Sequence, residues 1–411
     1  MAVKKLKYKR IEPFWEVSAL SLSQIFAMFC GLAATIIWAR FLPQELFGEF
    51  KVLMGVVGFV TAFCLLGLSQ AASMSAANNK DGNLNVVLRW RIFANLLASL
   101  CFMVAYFYIK LTNGDEFLLE PLIIIAIVFP LYNLNDICMA WINGKGLLFE
   151  LGIMRSVYSG LNVLGLLIIS FWDIHDLWKV TLIFLSSIAI LNLWMMKRSF
   201  FLTVNNKVDS TIINYAHHAT IAQAFTGMMA LDVVVLSSVV SSDQIAIYVV
   251  ALQFPQLAKA VFSVISQTYT QRIFESNSTL QAWTRVRKSF WIITAAGIAI
   301  GLLGYILLPE ITVFFFSEKY QLAAQYGRML WLTICCLGST TILGMILIAT
   351  KKPIYTYLSN IGYPVVLSIL YLMLVQFGVA GMTLARVIIT IIMALYFVIA
   401  FRLSLRNCFR E

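Results

Sequence analysis

Residues 17–39 read VSALSLSQIFAMFCGLAATIIWA, twenty-three positions without a charge. A helix rises ~1.5 Å per residue, so this run is long enough to cross a ~30 Å hydrocarbon core. Lys4, Lys5, Lys7, Lys9 and Arg10 stand before it, as the basic residues of a signal peptide would. The run outlasts a ~7–15-residue signal core, however, and ends in Trp38-Ala39-Arg40 with no small-residue cleavage site. It reads as an uncleaved first span.

Eleven similar runs follow, at 52–77, 92–109, 121–141, 156–172, 180–196, 219–240, 245–270, 289–308, 329–350, 354–374 and 379–401. They account for the composition of the 411-residue chain, which is 61% hydrophobic and 12% charged. An ordinary domain carries about 25% charged residues. A soluble enzyme, a nucleic-acid-binding protein and a disordered chain are excluded, and no nucleic-acid partner is expected. The runs are continuous rather than alternating, which argues against a β-barrel. The chain reads as an all-α polytopic membrane protein of about twelve transmembrane helices, arranged as two six-helix lobes around a central cavity.

The net charge of +11 gives the orientation. With a cytoplasmic N-terminus, 22 of the 30 Lys and Arg residues fall in cytoplasmic segments and six on the opposite side. That bias is the positive-inside pattern and places both termini in the cytoplasm. Trp15, Trp90, Trp141, Trp172, Trp178, Trp194, Trp291 and Trp331 fall near run ends, as an interfacial belt requires. Six of the seven cysteines lie inside apolar runs without metal-ligand spacing, and His175, His217 and His218 form no ligand cluster. No metal or other cofactor is expected.

The longest cytoplasmic connection, 197–218, divides the chain into lobes 1–205 and 206–411. Sliding one half over the other by 198 residues aligns 41–50 (FLPQELFGEF) with 239–248 (VVSSDQIAIY), so that Glu45 meets Asp243, Gly48 meets Ala246 and Phe50 meets Tyr248. An even number of spans per half gives both halves the same orientation, related by an axis along the membrane normal. No outer loop exceeds about twenty residues, and there is neither a nucleotide-binding glycine loop nor a pair of carboxylates at catalytic spacing. Covalent chemistry is not expected.

The two aligned turns carry a family resemblance. Residues 39–50, ARFLPQELFGEF, resemble the "AR-x-L-G-P-x-x-x-G-x-F/Y" turn after the first span of polysaccharide exporters of the O-antigen flippase (Wzx-type) family, in the multidrug/oligosaccharidyl-lipid/polysaccharide superfamily. Residues 242–251, SDQIAIYVVA, resemble its second-half turn. The usual Gly before Pro43 and the usual Gly before Tyr248 are missing. The resemblance implies a flippase of the bacterial inner membrane. Its partners would be undecaprenyl-diphosphate-linked oligosaccharide, membrane lipids and polysaccharide polymerases. Two lobes would rock to open the cavity to each side in turn. A cation-coupled drug or small-solute exporter of the same superfamily is the alternative. A membrane polysaccharide polymerase is disfavoured by the short outer loops.

Charges inside spans cost about 2.5 kcal/mol or more and mark functional positions. Arg40, Lys259 and Arg386 are candidates for binding diphosphate or an anionic sugar, since Arg offers a bidentate fork and Lys a mobile point charge. Each has a simpler reading: Arg40 as a helix-end anchor, Lys259 snorkelling to the interface, Arg386 paired with Asp232. Asp136 and Asp232 are candidates for ion coupling or a gate, and Asp136 and Lys259 lie at similar depth, as a cross-lobe gate pair would. Tyr132, Tyr248 and Tyr269 are candidates for stacking on sugar rings. Pro130 and Pro255 are placed to kink their helices near these charges.

Topology is directly testable. Reporter fusions after positions 113 and 173 are expected to read outside, and fusions after positions 80 and 206 inside. Reversal at any of the four contradicts the twelve-span arrangement.

Overall fold

The computed structural model describes residues 13–112, 116–212, 220–221, 223–274, 279–349 and 358–408. Among them there is helix and no strand. The main helices are α1 (Pro13–Phe41), α2 (Gln44–Ala62), α3 (Leu68–Ala77), α4 (Gly82–Thr112), α5 (Leu119–Tyr132), α6 (Asn135–Gly144), α7 (Leu148–Phe171) and α8 (Leu177–Phe201) in the first half. The second half has α9 (Leu231–Ser237), α10 (Ser242–Phe274), α11 (Thr279–Phe316), α12 (Gln321–Trp331), α13 (Ile334–Ala349), α14 (Tyr363–Leu374) and α15 (Gly378–Cys408). The described residues of each apolar run are mostly helical. Among the described residues, seven helical stretches are long and apolar enough to cross a membrane, or eight if the bent pair Glu318–Trp331 and Ile334–Leu347 counts as one. One of the seven, Asn360–Leu405, contains the last run and residues 360–374 of the one before it.

Breaks within the runs have identifiable causes. Pro43 holds an extended backbone (φ −55°, ψ 139°), which ends α1 and caps α2. The second run is split by a turn at 63–67 with Leu65 in the left-handed region (φ 57°). The fourth run carries Pro130 in the last turn of α5 and breaks at 133–134. Buried amides answer the carbonyls this break exposes. Asn95 donates to Pro130 O at 3.2 Å, and Asn192 to Leu131 O at 2.7 Å and to Tyr132 O. Such groups have no water to turn to inside a membrane and must be satisfied by the protein.

Packing runs largely within each half. In the first, α1 lies on α7, α3 on α6, and α5 on both α4 and α8; in the second, α11 and α10 lie on α12 and α13, and α15 on α13 and α14. The halves meet chiefly where α2 runs against α9 and α10. One core cluster crosses that junction and joins Trp38, Phe47 and Phe50 to Tyr248, Phe254 and Phe316.

The connection between the halves is fastened to the first. Asp81, whose side chain is fully buried, pairs with Lys145 Nζ at 2.5 Å and accepts Val204 N at 2.7 Å. Asn83 exchanges two hydrogen bonds with Asp209, and Ile212 joins the first-half core. The Thr211 hydroxyl hydrogen-bonds Asp209 and is the main cause holding that carboxyl below the usual carboxylate range. Removing one partner of a buried ion pair strands the other. Asp81→Ala is therefore expected to destabilise the detergent-solubilised protein by about 3 kcal/mol. Adding Lys145→Ala should recover part of that loss, which thermal unfolding of the single and double variants would measure.

Candidate functional site

At the end of the bundle that carries the α1–α2 turn, the two halves are tied together. Arg40 Nε donates to Phe315 O at 2.7 Å, and its terminal nitrogen to Phe314 O. These are among the last carbonyls of α11, and a cation there also meets the negative end of the helix dipole. The Gln44 amide donates to Asp243 O at 2.9 Å. Gly48 lies so close to the Ser242 carbonyl that a Cβ would overlap it. Segments 41–50 and 239–248, aligned by sequence as a repeat, are thus in contact. Arg40 is exposed and capping a helix; it does not line the cavity below.

Beneath this tie lies a cavity of about 340 Å³ between the halves. α1 contributes Ala27, Gly31, Thr35 and Trp38, whose spacing puts them on one face. α2 adds Phe50 and Lys51, α7 adds Ser159 and Asn162, and α10 adds Gln253 and Gln256. Among the described residues, none that lines it is acidic. Lys51 Nζ sits 5.4 Å from the centroid of the Phe47 ring, and no carboxylate lies within ion-pair distance of it among the described residues. Lys259 follows Gln256 by three positions, hence on the same stripe of α10, and is exposed. It too has no carboxylate within ion-pair distance among the described residues. On α7, Arg155 stands one turn before Ser159 and donates to Gln24 Oε1 of α1 at 2.6 Å.

The other expected charges are paired within their own halves. Arg386 forms an ion pair with Asp232 and donates from Nε to the Tyr248 hydroxyl at 2.8 Å; that hydroxyl donates to Asp232 at 3.0 Å. The rings of Tyr248 and Tyr371 lie 6.0 and 5.9 Å from the guanidinium carbon. Val233 N occupies the other Asp232 oxygen. The Asp232–Arg386 pair is therefore the arrangement formed.

Asp136 is partnered by Arg91 at 3.7 Å, not by Lys259. The Arg91 side chain is 1% exposed and also donates to Cys64 O at the α2–α3 break, while the Asp136 side chain is 47% exposed. Tyr132 is half-buried at the α5–α6 break. The side chain of Tyr269, together with His217 and His218, lies outside the described residues.

Lys51 and Arg91 are the site residues that run boundaries concealed. The runs begin at 52 and 92, which assigns both residues to loops. Yet α2 starts at Gln44 and α4 at Gly82, so the two lie seven and nine residues inside their helices. The helix-start signal was present for Lys51: Pro43 followed by an acidic first-turn residue, Glu45.

The polysaccharide biosynthesis protein family matches residues 16–268. No curated protein matches the chain. The lipid II flippase MurJ in an inward closed conformation is similar with a TM-score of 0.73 and 16% identity, covering 93% of this chain and 87% of that one. A multidrug resistance MATE family transporter of the MOP superfamily in its inward-facing conformation has a TM-score of 0.72 and 14% identity, over 96% and 99%. An outward-facing conformation of such a transporter has 0.65 and 15%, over the whole of both chains. At these identities the likeness establishes the fold. The family match covers well over half the sequence, and the chain belongs to the polysaccharide biosynthesis protein family, with the fold of MOP superfamily transporters.

Proposed function

We propose that the chain is a flippase that moves an undecaprenyl-diphosphate-linked oligosaccharide, such as an O-antigen or other polysaccharide repeat unit, across the bacterial inner membrane by alternating access. The observation that carries this reading is the character of the cleft. Among apolar walls its polar lining is amides, hydroxyls and Lys51, Lys259 stands one turn along α10 from the lining Gln256, and no described lining residue is acidic. A cationic drug would meet repulsion there, whereas a diphosphate finds donors and positive charge. The same observation disfavours the drug-exporter alternative.

In this reading the lobes 1–205 and 206–411 rock about their junction. The Arg40 tie closes the extracytoplasmic end, and the substrate enters from the cytoplasmic side. Lys259 attracts the diphosphate. Arg386 acts indirectly, by adding to the positive field at Lys259 while Asp232 neutralises part of it. Asp136, half-exposed beside Arg91, is the carboxylate left for ion coupling, because the oxygens of Asp232 are already occupied. A polysaccharide polymerase would take the product on the far side.

Deleting the gene in its host is expected to accumulate lipid-linked repeat units on the inner leaflet. Restoring the chain with Lys259→Ala should leave export at least tenfold slower than the unaltered chain, at equal protein in the membrane. Unchanged lipid-linked pools after deletion would overturn the flippase reading.

A further inference from the structure

The spacing of Lys51 and Lys259, neither with a carboxylate within ion-pair distance among the described residues, carries a statement about the substrate. α2 begins at Gln44 and α10 at Ser242, side by side at the same end of the bundle, where the Gln44 amide meets Asp243 O. Lys51 lies seven residues along α2, about 10 Å from that end. Lys259 lies seventeen residues along α10, about 26 Å from it. The two positions therefore differ in depth by roughly 15 Å. The Lys51 ammonium widens this gap, because it rests over Phe47, one turn back toward the Arg40 end.

A diphosphate, two phosphorus centres joined through one oxygen, is shorter than half that separation. It occupies one of the two cations and leaves the other. The cleft between them presents Asn162, Gln253 and Gln256, neutral amides that both donate and accept. That is the hydrogen-bonding character of sugar hydroxyls. Read from the cytoplasmic end, the order is cation, amides, cation. In a lipid-linked oligosaccharide held by its diphosphate at Lys259, the sugars extend toward Lys51. A lysine kept charged inside an apolar layer is costly unless something answers it, and a neutral sugar does so poorly.

Resting on the flippase reading, we infer that the transported oligosaccharide carries a negatively charged group on a sugar, of the hexuronic carboxylate class, and that Lys51 selects for it. The cleft then has two anion subsites with different roles: Lys259 recognises the diphosphate common to every lipid-linked sugar, and Lys51 recognises the acidic sugar. Lys51 is a specificity residue, not a second hold on the carrier.

The test is binding to the full-length protein in lipid nanodiscs. Two synthetic probes share one short polyprenyl diphosphate and one disaccharide frame, and the terminal sugar is glucose in one and glucuronic acid in the other. The acid-bearing probe is expected to bind about tenfold more tightly, the worth of one charge-assisted hydrogen bond. Lys51→Gln should remove that preference by weakening the acid-bearing probe, Lys51→Arg should retain it, and Lys259→Gln should weaken both probes together. Equal affinity of the unaltered protein for the two probes overturns the inference but leaves the flippase reading standing. So does a loss in Lys51→Gln that is equal for both, since that places Lys51 on the diphosphate. Absence of binding by either probe overturns the flippase reading and this inference with it.

Discussion

A charge enclosed in an apolar layer must be paired or reach water, and the arrangement of this protein follows from how each of its charges meets that demand. Asp232 and Arg386 answer each other in the second half, with Tyr248 and Tyr371 around them. Asp136 and Arg91 do so in the first. Each pair lies within one half, so the rocking proposed above breaks neither. Lys51 and Lys259 are treated differently. They lie on α2 and α10, have no carboxylate within ion-pair distance among the described residues, and in the flippase reading are answered by water or by the anionic substrate.

The tie at the Arg40 end suits repeated opening for the same reason. Arg40 donates to backbone carbonyls at the end of α11, and Gln44 donates to another at Asp243. Arg40 is exposed and Gln44 half-buried. Releasing them strands no buried opposite charge, because water replaces each partner at a net cost of about 1 kcal/mol per hydrogen bond. A buried carboxylate in place of those carbonyls would have cost several times more to abandon. Gly48 sets how closely the ends meet, since any side chain there collides with Ser242. The firm fastening is elsewhere: Asp81, Lys145 and Asn83 hold residues 204–209 to the first half.

Much of this was legible in the sequence because membrane solvation leaves large, simple signals. Twelve apolar runs and the loop-charge bias gave the all-α architecture, and the repeat of 41–50 at 239–248 located two turns that touch. The residue-level site was only partly legible. Lys259 stood out because it interrupts a long run. Lys51 and Arg91 sit at run edges, where hydropathy alone treats a charge as the start of a loop although the helix continues past it by two turns. Partnership was beyond reach, because depth can be counted along a helix but azimuth cannot. Asp136 and Lys259 shared a level and faced different neighbours. Arg40 looked like a substrate anchor until the end of α11, 275 residues away, was seen to need its donors.

The central claim is that Lys51 and Lys259 face one water-filled cleft that takes an anionic lipid head group. In a variant whose native cysteines are replaced, single cysteines at positions 51 and 259 would be challenged with a charged, membrane-impermeant thiol reagent added from the cytoplasmic side. Both are expected to react, and a short-chain polyprenyl diphosphate sugar should slow both reactions, whereas a cationic dye of similar size should not. A cysteine at Leu100, exposed on the outside of α4 among apolar neighbours, should stay unreactive as the lipid-facing reference. Reaction at neither position, or protection by the cationic dye in place of the diphosphate lipid, would contradict the account.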